Sequence, residues 1–131
     1  MPLVRVDLQE GKTAEYRSQV GEIVYRAMLS ELNIPDNDRF QVITEHSRGG
    51  LSYDRDYLGI HRSDDCIFIQ ITLSAGRTVE VKQDFYRTVV DALHDELKLR
   101  PEDVFINLVE VRKEDWSFGN GVAQYVPKAE Q

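Results

Sequence analysis

The chain has 131 residues with 23 acidic and 16 basic side chains, and its 41% of hydrophobic residues is typical of a folded protein. The net charge of −7 and the scattered lysines and arginines lack the basic stripe of a nucleic-acid-binding protein. No apolar run is long enough to cross a bilayer, and the first residues do not resemble a signal peptide. We therefore expect one cytoplasmic domain, residues 1–131, with neither nucleic acid nor membrane as a partner.

The first part of the chain predicts a strand, a helix and a second strand. Residues 3–8 alternate apolar and polar side chains, which is the period of a half-buried strand. Thr13 is a suitable N-cap for an amphipathic helix. That helix is expected to end near Asn33, because a residue just before a proline, here Pro35, disfavours helical dihedrals. Residues 39–45 predict the next strand.

The second part of the chain repeats this order. Residues 49–59 are polar and rich in turn formers, which indicates a connecting loop. Residues 66–73 carry alternating apolar side chains and predict a third strand. Thr78 is a suitable cap for a second amphipathic helix, which is expected to end before Pro101. Residues 104–111 predict a fourth strand.

An internal repeat joins these two parts. A shift of 65 positions aligns Thr13 with Thr78, and the alignment continues through both helices and into the strands that follow. Further aligned pairs are Val20 with Phe85, Val24 with Val89, Ala27 with Ala92, Leu32 with Leu97, Asp38 with Asp103 and Phe40 with Phe105. We infer that one strand-helix-strand unit occurs twice, over about residues 2–46 and 66–111, followed by a C-terminal segment, residues 112–131.

The repeat predicts an α+β fold, an α/β sandwich of two tandem β-α-β units. Each crossover helix permits parallel pairing of the strands that it joins, so the two units are expected to form a four-stranded mixed sheet. Both helices carry a single apolar face and are expected to pack on one side of that sheet. The turn formers Gly119, Asn120 and Gly121 predict a short C-terminal hairpin with a strand at residues 122–125. The uncovered sheet face predicts a symmetric homo-oligomer.

Pro2 is the first candidate functional residue. Initiator methionine is generally removed before a small second residue, which would leave a free secondary amine at the start of the first strand. Such an amine is nucleophilic toward carbonyls and can act as an acid or a base. Burial and nearby cations lower its pKa, whereas a neighbouring carboxylate raises it. The second repeat has Ile67 at the aligned position, so only one repeat can own this group.

Three segments of the chain are distinctive: the Pro2-Leu3 start, residues 33–40, and the string Asp-Trp-Ser-Phe-Gly-Asn-Gly-Val-Ala-Gln at residues 115–124, which is the most specific of the three. Together they resemble the tautomerase superfamily, and within it the malonate semialdehyde decarboxylase family. The resemblance implies an enzyme with a catalytic amino-terminal proline on a fused β-α-β scaffold, commonly a trimer, that acts on a small oxo acid.

The resemblance also implies roles for individual residues. Pro2 matches the family's cationic proline, and Asp38 matches the aspartate that keeps it protonated. The alternative for Asp38 is a turn cap, because Asp103 aligns with it. Arg77 matches an arginine that holds the substrate carboxylate, with a solvated residue at a helix start as the alternative. The family has a second arginine two positions earlier, where this chain has Ala75.

Trp116 and Phe118 are two residues apart, so their side chains share one face of an extended segment. They are expected either to wall an apolar substrate pocket or to pack in an interface. His46, His61 and His94 have no metal-ligand spacing, and the lone cysteine, Cys66, has the character of a buried apolar residue. We predict neither a metal nor another cofactor.

The resemblance favours a decarboxylase of a short 3-oxo acid such as malonate semialdehyde. The nearest alternative keeps the same site but makes neutral Pro2 the base of a keto-enol tautomerase of 2-oxo acids such as phenylpyruvate. A third alternative is a non-enzymatic trimeric module that binds a metabolite or a protein. Hydration or dehalogenation of acrylates is less favoured, since no acidic residue clearly matches those relatives' water-activating glutamate.

Overall fold

The computed structural model describes residues 2–128 and contains one mixed sheet with two long helices. The strands are β1 (Leu3–Gln9), β2 (Gln41–His46), β3 (Ile67–Ser74) and β4 (Val104–Val111), and the helices are α1 (Ala14–Glu31) and α2 (Val79–Leu97). Short 3-10 helices cover Tyr57–Gly59, Pro101–Asp103 and Lys113–Asp115. All four predicted strands and both predicted helices are therefore present, with boundaries within two residues of the expected ones.

The strand order is β2-β1-β3-β4. Within each repeat the two strands are parallel, as in β1 and β2, where Val4 lies opposite Gln41. The repeats meet through the antiparallel pair of β1 and β3, where Val6 lies opposite Ile69. The predicted fold class, two β-α-β units that share a four-stranded mixed sheet, is confirmed. As a result β1 is an interior strand, held by β2 on one edge and β3 on the other.

Both predicted helix caps are formed. The Thr13 hydroxyl oxygen accepts the Tyr16 N–H at 3.0 Å, and the Thr78 hydroxyl oxygen accepts the Val81 N–H at 3.2 Å. Each bond satisfies one of the amide groups that a helix start leaves without an intrahelical partner. Helix α2 ends at Lys98, which adopts the left-handed conformation with φ 59°.

The hydrophobic core lies between the two helices and one face of the sheet. The aligned residues Val20 of α1 and Phe85 of α2 are both fully buried in it, so the two repeats contribute equivalent positions to a single core. Burial of such a side chain stabilises the fold by about 1.5–3 kcal/mol. Cys66, at the start of β3, is also buried, as expected, and burial raises the pKa of its thiol to about 11.

The opposite face of the sheet carries exposed apolar side chains. Phe40, Val42, Phe105 and Val109 are 49%, 41%, 46% and 38% exposed in the isolated chain. Only part of this face is covered within the described residues, by the loop between β2 and β3, whose Tyr53 ring contacts Phe68. Clustered exposed apolar residues are typical of an interaction surface.

The predicted C-terminal hairpin is wrong. Residues 122–125 form turns rather than a strand, in a segment that follows the 3-10 helix Lys113–Asp115. A type I′ hairpin turn has two consecutive residues with positive φ, but Gly119, Asn120 and Gly121 make three, so the chain does not leave the turn in register for ladder pairing. The Gln124 side chain accepts the Phe118 N–H and donates to the Gly119 carbonyl, so it replaces ladder bonds.

Among residues 2–128, no helix is long and apolar enough to cross a membrane. The same part of the chain contains no group of three or more His, Cys, Asp or Glu side chains arranged to hold a metal ion.

Candidate active site

A cavity of about 220 Å³ lies at the start of β1. It is lined by Pro2, Leu3, Phe40, Trp116, Ser117 and Phe118. Pro2 is buried, and the chain next to it is fixed by the bond from the Val4 N–H to the Phe40 carbonyl, 3.0 Å. The segment that follows β4 brings Trp116 and Phe118 across to this end of the sheet. The predicted pair of aromatic side chains and the predicted proline are thus brought together in one apolar cavity.

The aromatic wall of the cavity is held rigidly. The Trp116 and Phe118 rings stack with centroids 5.4 Å apart, and the edge of Tyr125 contacts Phe118 at 4.8 Å. The Trp116 indole N–H donates to the Ser74 hydroxyl oxygen at 3.1 Å, which ties the wall to the end of β3. No local sequence pattern indicated Ser74 or Tyr125 as part of the site.

Asp38 is 7% exposed and precedes β2 by three residues. Because β1 and β2 are parallel, it lies at the same end of the sheet as Pro2. Burial raises the pKa of the Asp38 carboxyl above its ordinary value of 3.8. Tyr125 lies near this group: burial first, and then the charge of Asp38, raises the pKa of its phenol. Asp38 therefore belongs to the same end of the molecule as the cavity and its aromatic wall.

The repeat shows what the Asp38 position does in the other half of the chain. Asp103 is fully buried, and its two carboxylate oxygens accept the N–H and the O–H of Ser63, each at 2.6 Å. Ser63 lies on the segment that leads into β3. In the first repeat the aligned Asp38 lies at the end of the sheet where β1 begins and where Pro2 is buried.

Arg77 lies in the loop between β3 and α2 and is partly buried. Its Nε and Nη2 atoms donate to the Leu32 carbonyl at 3.3 and 3.0 Å, and Nη1 donates to the Ser74 carbonyl at 3.2 Å. Ser74 also anchors Trp116, so the guanidinium and the aromatic wall share one attachment point. A guanidinium has five N–H donors, and three are used here, which leaves two for a carboxylate. Within residues 2–128, no acidic side chain lies within ion-pair distance of Arg77.

Among the described residues the cavity lining contains no arginine: Arg77 contacts it only through Ser74, and no other arginine replaces the one missing at Ala75. Arg39 pairs with Glu22 at 2.6 Å. Arg62 bonds to carbonyl groups of its own loop, and Arg5 is exposed in the middle of β1.

Comparisons with known proteins define the class. Two family models, both described as tautomerase enzyme, match residues 38–119 and 2–53. The chain is 40% identical over 126 residues to the probable tautomerase YusQ of Bacillus subtilis (strain 168), covering 96% of this chain and 99% of the relative. It is 31% identical over 126 residues to the probable tautomerase YrdN of the same strain, covering 96% and 97%. The chain belongs to the tautomerase superfamily, which is a family of enzymes.

Solved structures of malonate semialdehyde decarboxylases are similar to this chain over most of its length. A crystal structure of FG41 malonate semialdehyde decarboxylase inhibited by 3-bromopropiolate superposes with a TM-score of 0.87 at 36% identity, covering 94% of this chain and 93% of that one. A second malonate semialdehyde decarboxylase also superposes with a TM-score of 0.87, at 31% identity and with 94% and 95% coverage. The resemblance found in the sequence is therefore confirmed at the level of the family and the fold.

The aligned aspartates give a matched test of the site. The folded-state pKa of Asp38 lies above its unfolded value of about 3.8, so the stability contributed by its protonated form is present below that value and is lost as pH rises through the folded pKa. We expect Asp38→Asn to raise the free energy of unfolding at pH 7, with no gain near pH 3. Asp103→Asn should instead lower it by about 1.5–3 kcal/mol, because it weakens charged hydrogen bonds to Ser63. Urea unfolding at both pH values measures this, and equal destabilisation by the two variants would contradict it.

Proposed function

We propose that this protein is a decarboxylase of a short 3-oxo acid such as malonate semialdehyde. The observation that carries the proposal is the burial of Pro2 in an aromatic-walled cavity, with Asp38 at the same end of the sheet and Arg77 tied to that wall through Ser74. The superposition on two malonate semialdehyde decarboxylases supports the choice of reaction.

In this proposal Pro2 becomes the amino terminus when the initiator methionine is removed. Its apolar surroundings favour a neutral amine, whereas a carboxylate at the position of Asp38 favours the cation. The decarboxylase requires the cation at the start of the cycle. Burial raises the pKa of the Asp38 carboxyl, so its ionised form costs stability, which is typical of a group retained for function rather than for folding.

Arg77 holds the substrate carboxylate with its two uncommitted N–H groups. Protonated Pro2 then donates a proton to the 3-carbonyl oxygen, or it transfers that proton to the carbonyl oxygen and its freed lone pair attacks the carbonyl carbon, after which water leaves to give an iminium ion. The bond between the carboxylate and C2 breaks, carbon dioxide leaves, and the electron pair moves into the carbonyl or the iminium. Protonation at C2 gives the aldehyde, after hydrolysis where an iminium was formed.

The rings of Trp116 and Phe118 supply a dry wall beside the reacting group. Loss of carbon dioxide disperses a localised carboxylate charge, and an apolar environment favours that change. Ser117 is the polar residue among the six that line the cavity, and the predominantly apolar lining is consistent with this role.

The protein is also proposed to act as a homotrimer in the cytoplasm, without a cofactor. Structures of fused 4-OT, which share 20% identity and a TM-score of 0.75 with this chain, are described as a symmetric trimer. A trimer would cover exposed apolar side chains on the open face of the sheet, including Val42 and Val109.

The alternative is a keto-enol tautomerase of 2-oxo acids such as phenylpyruvate, in which neutral Pro2 is the base. Two observations favour it: the curated relatives are named probable tautomerases, and Ala75 leaves the carboxylate with one arginine. The non-enzymatic module is less favoured, because the chain belongs to a family of enzymes.

The pH dependence separates the two reactions. We expect decarboxylation of malonate semialdehyde to be lost as a group deprotonates in the alkaline range, because cationic Pro2 is the active form. Pro2→Ala should lower kcat roughly 10²–10⁴-fold, the range of an acid-base group. Rates from pH 5 to 10, with borohydride trapping of the amine and mass mapping of the adduct, measure this. Activity that appears on deprotonation near neutrality would indicate the tautomerase, and an unimpaired Pro2→Ala enzyme would exclude a catalytic role of Pro2 in either reaction.

The repeat offers a matched control for the carboxylate clamp. Arg77→Lys removes the planar fork, and we expect kcat/KM for the oxo acid to fall about ten- to a hundredfold, mainly through KM, as a charged hydrogen bond is lost. Lys12 aligns with Arg77 in the other repeat and pairs with Asp65 at 2.8 Å. Lys12→Gln should leave KM unchanged. Steady-state kinetics measure KM for both variants, and thermal unfolding checks that both are folded. A wild-type KM for Arg77→Lys would contradict the role of Arg77 in holding the substrate carboxylate.

A further inference from the structure

The second repeat contains a cavity of its own, of about 130 Å³. It is lined by Tyr53, Asp54, Tyr57, Arg62, Phe68 and Phe105. Three of these residues align with residues of the cavity at Pro2 under the 65-position shift: Phe68 with Leu3, Phe105 with Phe40, and Tyr53 with Phe118. This second cavity is therefore the internal counterpart of the candidate active site.

The aromatic surface of the second cavity is fixed in place. The Phe68 ring contacts Tyr53 with centroids 5.6 Å apart and Phe105 at 5.1 Å. The Tyr53 hydroxyl donates to the Ser63 carbonyl at 2.5 Å, and the Arg55 guanidinium lies 4.7 Å from the Tyr53 ring centroid on its other side. These contacts hold three rings as a preformed apolar surface with little conformational freedom left to lose on binding.

The catalytic groups of the first cavity have no equivalents in the second. Ile67 stands where Pro2 stands in the first repeat, and its nitrogen is a peptide nitrogen inside a strand. Asp103, the counterpart of Asp38, is fully engaged by Ser63. Lys12, the counterpart of Arg77, does not line this cavity. A molecule bound here would meet no amine with which to react.

Arg62 gives the second cavity a cationic edge. Its Nη1 atom donates to the carbonyls of Asp54, Tyr57 and Ile60 at 3.2–3.3 Å, which fixes the guanidinium. Its Nε and Nη2 hydrogens make no hydrogen bond within residues 2–128, so they remain available to an anion. The nearest acidic lining group, the Asp54 carboxylate, accepts the N–H of Asp56 in its own loop at 2.8 Å.

We propose that the second cavity binds a small carboxylate bearing an aromatic or other apolar group and does not transform it. The apolar group would lie on the rings of Phe68 and Phe105, and the carboxylate would accept hydrogen bonds from Arg62. This binding does not depend on the reaction assigned to Pro2, because no group of the first cavity takes part in it.

Two readouts of binding distinguish the cavities. The probe is 3-phenylpropanoate, which has no carbonyl to react. Trp116 is the only tryptophan of the chain and lines the first cavity, so its fluorescence reports occupancy there alone. Equilibrium dialysis counts all bound probe, and we expect two molecules per chain. The uncharged analogue 3-phenylpropanol should bind the second cavity at least about tenfold more weakly, because it forms no charged hydrogen bond.

The aligned phenylalanines provide matched variants of similar exposure, 46% for Phe105 and 49% for Phe40. Phe105→Ala should remove one bound molecule and leave the Trp116 response intact. Phe40→Ala should weaken the Trp116 response and leave the other molecule bound. A single bound molecule per chain that changes the Trp116 fluorescence of the wild type, or a bound count that Phe105→Ala does not change, would overturn the proposal. So would a count of one together with a change in oligomeric mass for Phe105→Ala, which would assign the cavity to a second copy of the chain.

Discussion

The interior position of β1 is the constraint on which the candidate site depends. Hydrogen bonds to β2 on one edge and β3 on the other fix the first residues of the strand, beginning with the Val4 N–H and the Phe40 carbonyl. A chain end is ordinarily poorly ordered, because few contacts hold it. Here the pairing of both edges places Pro2 in a buried cavity, where an amine can be oriented toward a bound carbonyl group.

Duplication of one unit gives the two halves the same packing but different chemistry. Equivalent residues fill one core, as Val20 and Phe85 do, and equivalent aromatic residues surround two cavities. The difference lies in the aligned aspartates. Asp103 accepts hydrogen bonds from the N–H and the O–H of Ser63 and pairs with Arg100 at 3.5 Å, whereas Asp38 lies at the end of the sheet where Pro2 is buried. The same packing in both halves therefore surrounds different chemical groups.

Much of the fold was predictable because its determinants are local or repeated. The alternation of apolar and polar side chains predicted β4 with its correct ends, and Thr13 and Thr78 predicted where the two helices begin. The 65-position repeat predicted the two β-α-β units. The C-terminal hairpin was not predictable from Gly119, Asn120 and Gly121, because their turn type depends on the Gln124 side chain.

The site was only partly predictable. Pro2, Trp116 and Phe118 come together as the sequence indicated. The link from Trp116 to Arg77 through Ser74 joins residues of three segments, and no one-dimensional pattern contains it. The proximity of Tyr125 to Asp38 is of the same kind, since it depends on how the C-terminal segment crosses the sheet.

A ¹⁵N NMR titration of protein labelled selectively at proline nitrogen tests most directly whether Pro2 carries a free amine controlled by Asp38. We predict a titrating amine at Pro2 whose pKa exceeds the ordinary α-amino value of about 7.7–8.0 and falls when Asp38 is replaced by asparagine. A residue 2 nitrogen that remains an amide at every pH, or an amine whose pKa is the same with and without the Asp38 carboxylate, would contradict it.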